Sequence, residues 1–188
     1  MSDQPVSVRP ARGFLLPRDC AVTIVPAGHS RVLPKGMRVT VLQALGGTVT
    51  VTTADREMAR LTAADAIELG LIEAPAAPAT SSAEPFHIDR VWEAATTVYD
   101  PEIPVNIVEL GLVYRVEATQ LPNGGQRVEI DMSVTAPFCG MGDILRQDLH
   151  AAVAAVHGVD EVEVNLVFDP PWDASRLSDV ARLELGMM

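Results

Sequence analysis

The most informative stretch of this chain is Arg127-Val-Glu-Ile-Asp-Met-Ser-Val-Thr135, continued by Ala-Pro-Phe-Cys139-Gly-Met-Gly142. Apolar residues occupy every second position of its first half, which predicts a strand over 127–135 with one buried face. The proline at 137 ends the strand, and the glycines at 140 and 142 allow a sharp turn. A helix is predicted next, closed by Gly158, from apolar residues at helical spacing: Leu145, Leu149, Ala152 and Val156.

Cys139 lies in the turn of this strand–turn–helix unit, just before the N-terminus of the predicted helix. Unpaired N–H groups and the helix dipole favour a thiolate at such a position. A thiolate there is either a nucleophile or a soft metal ligand. Free cysteine is also among the residues most often buried for packing alone, so a structural role stays open at this point.

The composition is that of a folded, acidic protein. Hydrophobic residues make up 48% of the chain, and the formal net charge is −11. Such a charge argues against nucleic acids and anionic membranes as partners. The chain has no apolar run of membrane-spanning length and no apolar signal segment at its start. Its two cysteines, Cys20 and Cys139, do not resemble a secreted disulfide framework, so we expect a cytoplasmic protein.

A segment rich in alanine, serine, threonine and proline, residues 73–86, predicts a linker between two domains. The first, 14–72, is expected to be a small β-rich domain, either a barrel or a curled sheet. Its helix signal is Thr62, which is placed to cap a short helix. Its strand signals include a hairpin through Gly46-Gly47 and lie at 21–25, 37–45 and 48–53.

The second domain, 87–188, is expected to alternate helices and strands. An apolar stripe predicts a helix from Ile88 to Tyr99, and a final helix is expected at 178–185. Between them, strands are predicted at 110–118, 127–135 and 161–168, the first two joined as a hairpin by Asn123-Gly124-Gly125. The third strand alternates, with Val162, Val164, Leu166 and Phe168 on one face. The fold class is therefore α+β, a small mostly antiparallel sheet with helices packed on it.

The acidic loop Asp100-Pro-Glu102-Ile-Pro104 is a second candidate site. Two prolines within five residues fix the loop, and rigid loops often display functional carboxylates. Equally open is that Asp100 only ends the preceding helix and that Glu102 is solvated. His150 and His157 fall on one side of the predicted helix but show no metal-ligand spacing, which leaves a Cys–His hydrolase with little support. Trp172 fits the edge of a core better than a binding site.

Three ordered motifs resemble those of the PaaD-like metal–sulfur cluster assembly domain. The resemblance covers residues 87–188 and consists of Asp100-Pro-Glu-Ile-Pro-Val-Asn-Ile-Val-Glu-Leu-Gly-Leu-Val113, Thr135-Ala-Pro-Phe-Cys139 and Asp169-Pro-Pro-Trp172. Upstream, three segments are similar to the extension of SufT-type proteins: Arg18-Asp-Cys20, Gln43-Ala-Leu-Gly-Gly47 and Asp65-Ala-Ile-Glu-Leu-Gly70. PaaD proper carries a cysteine-rich tail, and the ending Leu185-Gly-Met-Met188 lacks one, which favours the SufT type.

The resemblance implies a cluster-scaffold type of domain that participates in iron–sulfur cluster assembly or delivery. It assigns the reactive cysteine to Cys139, the neighbouring threonine to Thr135 and the Asp-Pro-Glu loop to Asp100 and Glu102. One departure is that the family often has Pro-Gly-Cys-Pro, whereas here Phe138 precedes the cysteine and a glycine follows it. Phe138 is therefore expected to shield the thiol.

The ligand count limits the mechanism. Iron–sulfur clusters are normally held by four protein ligands, mostly thiolates, and Cys139 supplies one. Three routes stay open: two chains pair as a homodimer, Cys20 reaches across the linker, or a partner completes the shell.

We therefore expect a non-enzymatic maturation factor that holds an iron–sulfur cluster transiently and works with scaffold and client proteins. Thr135 would orient the Cys139 thiolate, and Asp100 or Glu102 would act as auxiliary ligand or docking charge. The alternatives are an adaptor that binds no cluster and bridges scaffold and client, and a thiol-dependent hydrolase or transferase.

Overall fold

A computed structural model describes residues 13–73, 85–136 and 140–187 and divides the chain into two compact units, Met1–Pro75 and Ala76–Met188. Most of the predicted linker lies outside the described residues, so the domain boundaries at 14–72, 73–86 and 87–188 stay predictions. Within the described ranges, no helix is both long enough and apolar enough to cross a membrane.

The first unit is a six-stranded antiparallel sheet followed by a short helix. Its elements are β1 Gly13–Leu15, β2 Cys20–Val25, β3 Ser30–Leu33, β4 Arg38–Leu45, β5 Thr48–Thr53, β6 Met58–Leu61 and α1 Ala63–Glu68. The strand order is β1-β4-β5-β6-β2-β3, with β1 and β3 at the two edges. The predicted β4–β5 hairpin is confirmed, and the Thr62 hydroxyl accepts the Asp65 amide at 3.1 Å as the predicted cap of α1.

The second unit is α+β, with helices packed on a three-stranded sheet, as predicted. Its elements are α2 Ile88–Ala95, β7 Val113–Gln120, β8 Gln126–Met132, α3 Gly142–Ala154, β9 Val159–Leu166, a 3₁₀ turn Ala174–Arg176 and α4 Asp179–Glu184. The order is β7-β8-β9, in which β7 and β8 pair antiparallel while β8 and β9 pair parallel. The parallel pair follows from α3, which carries the chain back along the sheet before β9 begins.

Two predicted helix ends are wrong. The helix predicted to reach Tyr99 stops at Ala95, because the Thr96 and Thr97 hydroxyls donate to the carbonyls of Glu93 (2.6 Å) and Ala94 (2.7 Å) and compete with helix continuation. The next helix, α3, stops at Ala154. The Gly158 predicted to cap it lies four residues further on, at φ 86° in the turn that leads into β9.

The strand boundaries also shift. The predicted strands 110–118 and 127–135 are observed at 113–120 and 126–132, because residues 107–111 form a turn and the ladder ends at Met132. Their inward positions are correct: one face of the sheet is buried against the helices. That core includes Val91, Leu112, Val128, Ile130, Met132, Leu145, Leu149 and Val153.

Candidate functional site

A small cleft lies where the chain leaves β8. Its floor is Ser133, Val134 and Thr135, its wall is formed by Phe168, Pro171 and Trp172, and its volume is about 30 Å³. Ser133 is buried and Thr135 is half-buried. The cleft therefore joins the second sequence motif to the third, which stands more than thirty residues later in the chain.

Backbone hydrogen bonds fix the floor of this cleft. The Ser133 amide donates to the Leu112 carbonyl at 2.8 Å, and the Val167 amide donates to the Met132 carbonyl at 2.8 Å. The chain on either side of the motif residues is thus tied both to the segment before β7 and to the segment after β9. These two hydrogen bonds hold the segment that contains Thr135 next to the segment that contains Phe168, Pro171 and Trp172.

Trp172 connects the cleft wall to the first motif. Its indole Nε1 donates to the Leu110 carbonyl at 2.8 Å, and its ring packs against the core of the second unit. The predicted place of Trp172 at a core edge is therefore confirmed. The indole has a second role that the sequence did not indicate, because the other part of its surface lines the cleft.

The end of the first motif is clamped against the C-terminal segment. The Ser178 hydroxyl donates to the Glu109 carboxylate and accepts the Ala181 amide at 3.0 Å, while the Ser178 amide donates to the Glu109 carbonyl at 3.0 Å. Gly111 adopts φ 67°, and a Cβ there would lie 2.3 Å from the Arg176 carbonyl oxygen. Sequence reasoning missed this clamp; its one local signal is the serine that caps α4.

Asp100 shapes its own loop. Its side chain is 7% exposed, and Oδ1 accepts the amides of Glu102 at 2.9 Å and Ile103 at 3.0 Å. This pattern is typical of an aspartate that nucleates a turn. The alternative prediction, that Asp100 ends the preceding helix, is wrong because α2 already stops at Ala95.

Glu102 is the exposed member of the acidic pair. Partial burial and the neighbouring charge of Asp100 raise the pKa of its carboxyl above the ordinary glutamate value. A raised pKa means that the ionised carboxylate is disfavoured in these surroundings. Within the described residues, neither Glu102 nor Asp100 lines the cleft that contains Thr135.

Cys139 lies outside the residues that the structure describes, as does Phe138, so the reactivity of the thiol and its shielding stay predictions. The flanking positions are described. Thr135, which precedes the undescribed residues 137–139, lines the cleft. Helix α3 begins at Gly142, three residues after Cys139. The interval between the cleft floor and the helix N-terminus is where the sequence predicts the thiolate.

Cys20 is sealed in the core of the first unit. Its side chain is 0% exposed, its Sγ lies 3.6 Å from the Arg18 carbonyl oxygen, and burial raises the pKa of its thiol. A buried neutral thiol is a poor metal ligand, because ligation requires the thiolate. The route in which Cys20 completes a cluster shell would require this core to open.

The histidines do not assemble a metal site in the described parts of the chain. His150 and His157 are both exposed, and His157 lies beyond the end of α3 rather than on it. No group of three or more histidine, cysteine, aspartate or glutamate side chains suited to a metal ion occurs among residues 13–73, 85–136 and 140–187.

Comparison with known proteins agrees with the motif assignment. The iron–sulfur cluster assembly protein family matches residues 88–166. An Fe-S protein maturation auxiliary factor of Porphyromonas gingivalis is 41% identical over 92 residues, which is 49% of this chain and 84% of the relative. The auxiliary factor SufT of Staphylococcus aureus is 33% identical (48% of this chain, 98% of the relative), and YitW of Bacillus subtilis is 32% identical (53% and 93%). This chain belongs to the iron–sulfur cluster assembly protein family.

Proposed function

We propose that this protein is an iron–sulfur protein maturation factor that assists the delivery of clusters to client proteins through Cys139. One observation carries the proposal. Thr135, four residues before Cys139, lines a cleft with Trp172 of the third motif, in a chain whose relatives are named Fe-S protein maturation auxiliary factors. The second and third motifs thus meet at this cleft, and the first motif contacts it through the Leu110 carbonyl, which accepts the Trp172 indole N–H.

The cluster is a cargo in this proposal, and its ligation is shared. Cys139 contributes one thiolate of the usual four. Cys20 is buried with a raised thiol pKa, so the remaining ligands come from a second chain or from the scaffold or client protein. Incomplete ligation suits delivery, because a cluster held by one residue of the carrier is released when the client supplies its own thiolates.

The acidic loop takes two different roles in this mechanism. Asp100 is committed to holding the loop, since its carboxylate accepts the amides of Glu102 and Ile103. Glu102 is exposed, which suits the auxiliary ligand or docking charge. Thr135 is the residue that orients the Cys139 thiolate in this proposal.

The proposed role is that of an auxiliary factor without a catalytic reaction of its own, in line with the names of the relatives. A thiol-dependent hydrolase would need a base beside Cys139. The thiol alkylation rate measured against pH separates the two classes, since an enzyme's rate would depend on a histidine and a carrier's would not.

The test is complementation in cells that lack the chromosomal copy. The activity of a cluster-dependent client enzyme is measured with wild type, Cys139→Ser and Cys20→Ser. We expect Cys139→Ser to abolish rescue at unchanged protein level, and Cys20→Ser to retain it. Full rescue by Cys139→Ser would contradict the proposal and favour the adaptor.

A further inference from the structure

Phe168 is exposed where the sequence predicts a buried residue. The alternation of 161–168 places it on the inward face with Val162, Val164 and Leu166, but β9 ends at Leu166 and Phe168 is 50% exposed at the mouth of the cleft. The prediction fails because the strand ladder stops before its last apolar position. A half-exposed phenylalanine in a wall with a proline and a tryptophan forms a contiguous apolar surface.

This apolar wall is pre-formed. Trp172 is fixed by its 2.8 Å hydrogen bond to the Leu110 carbonyl, and Pro171 has a restricted backbone. Rigid aromatic side chains are typical anchors of protein interfaces, because little side-chain entropy is lost when a partner binds. The wall therefore has the properties of a docking surface rather than of an incompletely packed core.

The size of the cleft limits its occupant. A volume of about 30 Å³ is far below the roughly 300–1,000 Å³ of pockets that bind small molecules. The cleft can take the tip of one side chain of a partner protein, with the rest of that side chain and of the partner lying on the apolar wall around it.

The charge beside the wall selects the partner further. Asp169 and Asp173 flank Pro171 and Trp172 and are exposed. Hydrogen bonds from Ser175 lower the pKa of Asp173, which keeps it ionised. Asp169 and Asp173 are the carboxylates beside the wall, since the third carboxylate of residues 168–179, Asp179, pairs with Arg182 at 3.6 Å. The guanidinium of Arg176 stacks 3.8 Å above the Tyr114 ring.

We propose that the cleft of Thr135, Phe168, Pro171 and Trp172 docks a partner-protein segment in which one apolar side chain is flanked by lysine or arginine. The tip of the apolar side chain enters the cleft and its stem lies on Phe168 and Trp172, while the flanking cations lie beside Asp169 and Asp173. This inference rests on the proposed function, since it names the kind of partner that the delivery site receives.

The test uses a fluorescent peptide, Gly-Lys-Arg-Lys-Leu-Lys-Arg-Lys-Gly, and the full chain, with fluorescence anisotropy as the readout. We expect binding below about 1 mM that weakens with salt, and a loss of about tenfold or more in Phe168→Ala. Leu183→Ala is the matched control, because Leu183 is 66% exposed in the same unit. The affinity of Leu183→Ala for the peptide should equal that of wild type, and thermal melts verify that both variants fold.

Several outcomes would overturn the proposal. They are no binding up to about 1 mM, equal affinity for wild type and Phe168→Ala, or equal affinity for a peptide with glutamates in place of the lysines and arginines. A concentration-dependent dimer that Phe168→Ala abolishes, without peptide binding, would assign the cleft to a second copy of the chain instead.

Failure of this inference can be told apart from failure of the proposed function. Cys139→Ser should bind the peptide like wild type while it loses client maturation. Phe168→Ala should keep any cluster that wild type acquires while it loses peptide binding. If Phe168→Ala binds the peptide normally and Cys139→Ser still abolishes maturation, only the docking site is wrong.

Discussion

The two units treat their functional side chains in opposite ways. In the first, Cys20 is enclosed by sheet residues and Arg18 pairs with the carboxylates of Asp65 (2.6 Å) and Glu68 (2.5 Å). In the second, residues of the second and third motifs meet at a cleft, and Phe168 and Glu102 are exposed. The first unit encloses its cysteine and pairs Arg18 within the unit, whereas the second unit leaves Phe168 exposed at the mouth of its cleft. The burial of Cys20 therefore marks it as a structural cysteine.

The largest predicted effect tests how tightly the second unit holds its motifs together. Gly111→Ala places a Cβ 2.3 Å from the Arg176 carbonyl and forces alanine to φ 67°, so we expect a loss of about 4 kcal/mol of unfolding free energy. Gly124→Ala is the matched control, with φ 89° but open space around it, and should cost about 1 kcal/mol. Urea unfolding followed by tryptophan fluorescence measures both; equal losses would show that the clamp does not exist.

The next effect concerns the sealed cysteine of the first unit. Cys20→Ser places a hydroxyl in an apolar core and should cost about 2 kcal/mol. Ala21→Ser changes the exposed neighbour on the same strand and should have no measurable effect. Far-UV circular dichroism during thermal unfolding reports both. A Cys20→Ser variant as stable as wild type would mean that the Cys20 thiol is not enclosed by the core of the first unit.

A smaller effect measures the link between the first and third motifs. Trp172→Phe keeps an aromatic ring but removes the donor to the Leu110 carbonyl, and should cost about 1 kcal/mol. Trp92→Phe, a half-buried position on α2, controls for the smaller ring. Urea unfolding by circular dichroism compares them. A Trp172→Phe loss no greater than that of Trp92→Phe would remove the proposed coupling.

The smallest effect is a pH dependence on the outer face of the second sheet. Hydrogen bonds from Arg115 at 2.7 Å and Asn165 at 3.3 Å lower the pKa of Asp131 below its ordinary value of 3.8. Its stabilising contribution is therefore present above that value and is lost as the pH falls through the folded-state pKa. Asp131→Asn should lower the melting temperature at pH 7 and flatten its decline towards pH 3. An unchanged slope would contradict this assignment.

Local signals in the sequence predicted much of the fold. The Gly46-Gly47 hairpin, the Thr62 cap and the alternating strand β8 were all recognisable, because each depends on neighbouring residues. The short edge strands β1 and β3 carry too few residues for a period to show. Helix α2 ends early because two threonine hydroxyls compete for its backbone carbonyls, and the spacing of apolar residues does not predict such hydrogen bonds.

The site was only partly predictable. The motif resemblance proposes Thr135, Asp100 and Glu102 as site residues. Sequence spacing alone could not show that Thr135 lies beside Trp172 or that Asp100 and Glu102 do not line the cleft. Those relations depend on long-range contacts, such as the Leu110–Trp172 bond and the parallel pairing of β8 with β9. The prediction that Phe168 lies on the same face as Val162, Val164 and Leu166 is wrong for the same reason, since the exposure of Phe168 depends on β9 ending at Leu166.

The central claim is that Cys139, and not the buried Cys20, holds the transferred cluster. Its most direct test is anaerobic reconstitution with iron and sulfide, reading visible absorbance and iron per chain for wild type, Cys139→Ala and Cys20→Ala. We predict cluster absorbance in wild type and Cys20→Ala that disappears in Cys139→Ala, with half a cluster per chain if two chains share the ligands. Cluster retained by Cys139→Ala, or lost in a folded Cys20→Ala, would contradict the account.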